Sequence, residues 1–183
     1  MPMLTELQAD SIEGKIVEIF GLPDSGKTNL ALSFSVFFQQ RGCIVYYVDA
    51  DCKISTKHLK NYPEMDIEKF YIQKGFAGID QIISNAALAD VIVIDSIPMT
   101  LKQKGLLRML RSLKRLGKTI ITVNQIRSSF EKSGTTRPFF NDISQKIYDI
   151  RINLSEQTYE DIPREPNKPF FTILDKLKKE ELF

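Results

Sequence analysis

The sequence predicts an α/β domain: a mostly parallel sheet with helices on both faces and an antiparallel hairpin towards the C-terminal end. Three observations carry that prediction. Short apolar runs alternate with segments of helical periodicity along most of the chain. One junction, Gly21-Leu22-Pro23-Asp24-Ser25-Gly26-Lys27-Thr28, is a G-x-x-x-x-G-K-[ST] sequence lying between a strand and a helix. Polar residues, finally, gather where the apolar runs end.

The elements follow in order. After a polar lead with a helical turn around Leu4 and Leu7, Ile16 to Phe20 reads as a first buried strand. Asn29 to Gln40 has apolar residues at Leu30, Phe34, Phe37 and Phe38, which predicts a helix closed near Arg41-Gly42. Ile44 to Val48 is β-branched and aromatic, a second strand ending at Asp49-Ala50-Asp51. A polar stretch to Pro63 holds a short helix, Phe70 to Ile72 is a third strand, and Gly78 to Leu88 is a second crossover helix. Val91 to Ser96 is apolar on both faces, as central parallel strands are. Leu106 to Leu116 is a helix with a stripe of Leu106, Leu110, Leu113 and Leu116 and a basic face of Arg108, Arg111, Arg115 and Lys118. Thr119 to Val123 is a fifth strand ending at Asn124-Gln125, and Ser128 to Asp142 lacks periodicity and reads as a long loop. Ile147 to Leu154 and Phe170 to Leu174 are the expected hairpin arms, joined by an exposed connection with Pro163 and Pro166, and a charged tail follows.

Composition narrows the function classes. The 183 residues suffice for one domain with its own core, and no apolar run is long enough to span a bilayer. Met1 to Glu6 lacks the basic-then-apolar order of a signal peptide. Cys43 and Cys52 fit neither a disulfide framework nor a zinc site, so a reducing cytoplasm is expected. A net charge of +2 does not by itself imply a nucleic-acid partner. Between Asp95 and Glu131, however, there is no acidic residue, while Lys102, Lys104, Arg108, Arg111, Lys114, Arg115, Lys118 and Arg127 all fall there.

Ligands of such sheets bind at the carboxyl ends of the strands, which puts the Gly21 loop, Asp49 to Asp51, Asp95-Ser96 and Asn124-Gln125 on one rim. The loop is built for phosphate. Gly21 and Gly26 let backbone N–H groups of the Asp24 to Asn29 stretch converge on phosphate oxygens at a helix N-terminus. Lys27 reaches the β- and γ-phosphates, and the Thr28 hydroxyl holds Mg²⁺. Asp95 suits a metal-bound water, or else caps a following helix. Asp51 and Asp49 compete as the carboxylate that orients an attacking water, the other being a turn cap. Gln125 is either a γ-phosphate sensor or a loop anchor. Arg127, Phe130, Lys132, Arg137, Phe139 and Phe140 combine cations with rings, which suits single-stranded nucleic acid or, alternatively, a loop whose phenylalanines pack inward. His58 is a surface histidine or a ring stacked on a base.

Five blocks then stand in a familiar order: Gly14 to Gly21 into the phosphate loop, Tyr47 to Asp51, Asp90 to Ser96, Val123-Asn124-Gln125-Ile126-Arg127, and Asp149 to Leu154. In these the chain resembles the ATPase core of the RecA family of recombinases, especially the bacterial type. The resemblance covers residues 14–176, between a short lead (1–13) and a charged tail (177–183). It implies a phosphate-loop ATPase of RecA type with ATP and Mg²⁺ as cofactors. It further implies single-stranded DNA binding through Ser128 to Asp142, assembly into a filament or ring, and a cytoplasmic, nucleoid-associated place. It gives Asp51 the catalytic carboxylate, Gln125 the sensor and His58 the adenine-stacking position. Two departures stand out. The family has glutamate where this chain has Asp51, which implies slow hydrolysis. Of two lysines that reach a neighbour's phosphates, Lys176 matches one and Leu174 replaces the other. An accessory paralogue that docks on a recombinase or helicase is the alternative reading, and a small kinase is a third.

Overall fold

The computed structural model describes residues 11–127, 137–138, 140–141 and 146–154. Among them the strands are β1 (Ile16–Gly21), β2 (Val45–Asp49), β3 (Phe70–Lys74), β4 (Val91–Asp95), β5 (Thr119–Arg127), β6 (Arg137–Pro138) and β7 (Ile150–Asn153). The helices are α1 (Lys27–Gln40), α2 (Thr56–Leu59), α3 (Ile79–Ala86) and α4 (Gln103–Lys114), with a 3-10 turn at Ile67–Lys69. The main sheet has the order β3-β2-β4-β5-β1-β7, every neighbouring pair parallel. The short β6 lies antiparallel against the end of β5.

Alternation of apolar side chains on buried strands sorts the core into two layers. Val17, Ile19, Val93, Ile121 and Val123 face α1, where Leu30, Phe34 and Phe38 meet them. Ile16, Ile92, Ile94 and Ile120 face the other way, onto Ile82 and Ala86 of α3 and Leu106, Met109, Leu110 and Leu113 of α4. Each such side chain contributes roughly 1.5–3 kcal/mol through burial, so the sheet's position is set by these faces. The leucine stripe read from the sequence is what seats α4. Its basic face is partly matched by acids from elsewhere: Arg108 bonds Asp80 at 2.5 Å, Lys114 bonds Asp149 at 3.0 Å and Lys118 lies 3.6 Å from Asp90.

One of the strands differs from expectation. The fifth strand does not stop at Asn124-Gln125 but runs on to Arg127, because β1 pairs with it as far as Gly21 opposite Gln125 and β6 pairs with Ile126 and Arg127. The expected hairpin arm at Ile147 to Leu154 forms β7 and pairs parallel with β1, Val17 opposite Ile150 and Phe20 opposite Asn153. The second arm, Phe170 to Leu174, and the charged tail lie outside the described residues, as does the lead around Leu4 and Leu7. Cys43 and Cys52 are both free thiols. No helix among the described residues is long and apolar enough to cross a membrane.

Asp149 fastens three elements together. Its Oδ2 accepts the Ile16 N–H at 2.8 Å, at the start of β1, and its Oδ1 accepts from Lys114 of α4 at 3.0 Å. Burial alone would raise this carboxyl; the Ile16 N–H and the Lys114 and Lys15 charges outweigh it and hold it below its ordinary value. A carboxyl depressed in the folded state stabilises fully above the unfolded value and loses that contribution as pH falls through the folded one. We therefore expect Asp149→Asn to lower the urea midpoint at neutral pH and to narrow its gap to the parent chain below about pH 4.

Candidate functional site

The phosphate loop takes its shape from a steric limit where β1 ends. A Cβ at Gly21 would come within 2.7 Å of Ser25 Oγ and 3.1 Å of Leu154 Cβ, so only hydrogen fits there. Gly26, at φ 87°, then starts α1, and Lys27 and Thr28 enter the helix's first turn, ahead of the Asn29 start read from periodicity. The buried Lys27 ammonium donates to the carbonyls of Gly21 at 3.1 Å and Leu22 at 2.5 Å. Burial draws its pKa down to about 8; Asp95 works against that shift and Lys53 works with it. Asp24, Asn29 and the rest of the loop line a cavity of about 360 Å³, and Lys53, Ile54 and His58 close its far side.

The carboxylates of the rim differ in what holds them. Asp49 is 1% exposed and fully engaged: it accepts the N–H groups of Lys53 and Ile54, each at 2.9 Å, and the Lys74 ammonium at 2.6 Å. It is the turn cap of the pair, and it bolts down the loop that carries Asp51. Asp51 is exposed, and its Oδ2 takes Ser96 Oγ and Lys53 Nζ, both at 2.9 Å. Asp95 is buried and accepts the Tyr47 hydroxyl at 2.8 Å and the Thr28 hydroxyl. Burial raises its carboxyl above the usual range, those hydroxyls pull it back, and the Asp49 and Asp51 charges raise it again.

A hydroxyl and a carboxylate in hydrogen-bond contact beside a phosphate cradle are hard oxygen donors of the kind Mg²⁺ takes, with waters and phosphate oxygens completing its shell. Thr28 and Asp95 fit that ion. No cluster of three or more metal-ligating side chains occurs among the described residues, so protein groups alone do not complete a metal site.

Gln125 stands opposite Gly21 in the β1–β5 register, which sets it beside the loop. His58 is held by the turn it caps: its Nδ1 lies 3.0 Å from Ser55 Oγ and 3.2 Å from the Ser55 nitrogen. Phe140, at φ 61°, is half-buried and packs on the α3–α4 side of the core, the inward of the two readings for that ring. Phe130, Lys132 and Phe139 lie outside the described residues, and Arg127 and Arg137 enter through their backbones, paired across β5 and β6.

Several participants escaped the sequence reading. Glu18, 0% exposed, accepts Asn124 Nδ2 at 2.8 Å and Arg151 Nε at 2.6 Å. Arg151 in turn donates to Asn141 Oδ1 at 3.1 Å and stacks 4.9 Å from the Phe20 ring centroid. A single acid in the run Ile16-Val17-Glu18-Ile19-Phe20 was the available sign. The network ties β5, β1, β7 and the segment at Asn141, and thus both ends of the loop after β5.

A strand, a phosphate cradle, a helix and a buried aspartate two strands away make this a phosphate-loop α/β domain. Comparison with known proteins gives the family. Residues 9–158 match the model of the RecA N-terminal domain. The chain is 33% identical over 144 residues to Protein RecA of Aquifex aeolicus, an alignment covering 74% of the chain and 41% of that relative. It is 31% identical over 144 residues to Protein RecA of Aquifex pyrophilus, again 74% and 41%. With Protein RecA of Mesomycoplasma hyopneumoniae strain J it shares 30% over 141 residues, 63% of the chain and 41% of the relative. The chain belongs to the RecA family, and it spans about two fifths of the length of the curated relatives it matches.

The two aspartates after β2 separate experimentally. Asp49→Ala strands an ammonium and two N–H groups and is expected to cost about 2 kcal/mol or more; Asp51→Ala, on the surface, is expected to cost under about 1 kcal/mol. Glu18→Gln, which breaks a buried ion pair, is expected to cost about 3 kcal/mol. Urea denaturation of the three variants measures all of this.

Proposed function

We propose that this domain binds ATP with Mg²⁺ and, in that state, single-stranded DNA, as a RecA-like protein of recombination, repair or strand annealing that hydrolyses ATP slowly. The observation that carries the proposal is the β1–β5 pairing. It sets Gln125 against the first residue of the phosphate cradle on a strand that runs straight into the Ser128 to Asp142 loop.

In this reading the Lys27 ammonium exchanges the Gly21 and Leu22 carbonyls for phosphate oxygens, and the backbone N–H groups of the loop and of α1's first turn take the remaining charge. Thr28 and Asp95 would hold Mg²⁺, which would supply positive charge against the phosphates when bound. Asp51 accepts a hydrogen bond from the attacking water and sets its line. An aspartate reaches about one ångström less far than a glutamate, and misplacement of that order can cost about a hundredfold in rate. Gln125 donates to the γ-phosphate and passes its presence to the loop, ordering it in the triphosphate state. Assembly into a filament or ring belongs to the same reading, as does a cytoplasmic, nucleoid-associated setting.

A second reading has its own observation. Asp51 is tied to Lys53 and Ser96, and part of the basic face of α4 is matched by Asp80, Asp149 and Asp90. Both features suit an accessory paralogue that binds ATP, scarcely turns it over and docks on a recombinase or helicase.

Light scattering on the pure protein tests the first reading. Growth in size with ATP plus a single-stranded oligonucleotide, but with neither alone, is expected, and Lys27→Ala should abolish it. Oligonucleotide binding should weaken steeply with salt and fall on replacing Arg127 or Phe139 with alanine. Nucleotide-independent indifference to DNA, together with co-elution with a recombinase, would favour the second reading. Failure to bind any nucleoside triphosphate would sink both.

A further inference from the structure

The nucleotide cavity contains a cation that neither the motif nor the proposed mechanism uses. Lys53 lines the cavity together with Lys27 and Thr28 of the phosphate loop. Its backbone is fixed, because its N–H is one of those that the buried Asp49 carboxylate holds at 2.9 Å. Its side chain is not: it is 64% exposed, and its ammonium rests 2.9 Å from Asp51 Oδ2. The lysine thus has a rigid root, a long stem and one exchangeable anionic partner. Its charge reaches across the cavity as well, since Asp95 and Asp24 raise its pKa behind the leading effect of Asp51, and Lys53 itself lowers that of Lys27.

We propose that Lys53 is a phosphate-contacting residue acting within its own chain, trading its ion pair with Asp51 for the terminal phosphate of a bound nucleoside triphosphate. The inference rests on the nucleotide-binding reading above. An ammonium offers three donors on a flexible stem and forms stronger charge-assisted bonds than a neutral group. A triphosphate terminus carries more charge than the single carboxylate that holds Lys53 now, so the exchange is downhill once that terminus is in place. The partner's identity selects which phosphate. Asp51 is the carboxylate assigned to the water in line with the γ-phosphate, so the cation paired to it faces that phosphate and not the ones a diphosphate retains.

The exchange also has a use. Both contacts to Asp51 fall on one oxygen, Oδ2: Lys53 from one side and the Ser96 hydroxyl from the other. When Lys53 leaves, Ser96 keeps the carboxylate in position while its charge becomes available to water. The resting ion pair therefore offsets the charge of the carboxylate until a triphosphate arrives. It also supplies from within the chain one of the positive charges for which a neighbour's lysine is wanting at Leu174.

The experiment is titration of fluorescent ATP and ADP analogues, with Mg²⁺, against the full chain and its Lys53→Ala, Lys53→Arg, Asp51→Asn and Lys53→Ala/Asp51→Asn variants. Thermal melts verify folding. Lys53→Ala is expected to weaken the ATP analogue about tenfold while leaving the ADP analogue within about twofold, and Lys53→Arg to restore part of the loss. Asp51→Asn, by freeing Lys53, is expected to tighten the ATP analogue severalfold, and to do nothing once Lys53 is alanine. Equal effects of Lys53→Ala on both analogues, or none on either, would overturn the proposal while leaving the nucleotide-binding reading standing. A parent chain that binds neither analogue would remove both.

Discussion

Where β1 ends decides most of what this domain can do. The strand is buried and paired on both sides, with β5 along one edge and β7 along the other. Ser25 of the loop and Leu154, just past β7, crowd the place that a Cβ would take on its last residue, Gly21, where the chain leaves the sheet. The turn becomes the phosphate cradle. The same pairing sets Gln125 opposite Gly21, so the spacing of Gln125 from the start of the loop is a property of a parallel ladder and not of a loop. A ladder at the centre of a sheet is held by the packing of both faces. The rim therefore stands on a sheet packed on both faces.

On that rim, carboxylates of the same chemistry are given different work by their partners. Asp49 has two backbone N–H groups and a lysine, no exposure, and hence a structural task. Asp95 is buried among hydroxyls with further carboxylates close by, an arrangement whose charge a divalent cation would balance. Asp51 is outside and held by groups that can let go. The lysines divide in parallel: Lys74 is paired with Asp49, Lys27 is buried against carbonyls, and Lys53 is on the surface, paired with Asp51. Burial and partner count, more than residue type, separate the roles.

The parts of this arrangement that were legible in sequence are those set by local pattern. Apolar runs and the leucine stripe of α4 gave the strands and helices, and the glycine-lysine-threonine spacing gave the cradle. Legibility failed where long-range pairing decides. β5 runs past Gln125 because Gly21 and the β6 residues continue the ladder, and nothing in Asn124-Gln125-Ile126-Arg127 alone says so. β7 joins β1 in parallel for the same reason. That Asp49 and not Asp51 caps this turn depends on the N–H groups of Lys53 and Ile54, which converge on one aspartate through the turn at Cys52, at φ 55°. Lys53 went unnoticed because a lysine in a polar stretch reads as solvated surface until a cavity is found beside it.

The buried Glu18–Arg151 pair shows how the rim and the loop after β5 come to share one foundation. Burying an ion pair gains little in stability over apolar packing, so its presence is better understood through what it holds in register. Glu18 takes Asn124 from β5, the residue whose own side-chain oxygen accepts the Gln125 N–H at 2.9 Å. Through Arg151 it reaches Asn141, next to the core-packed Phe140. Asn124, beside Gln125, and Asn141 thus hang from the same Glu18–Arg151 pair. A change in the backbone at Gln125 thus meets a network with defined partners and little slack, in place of a free hinge.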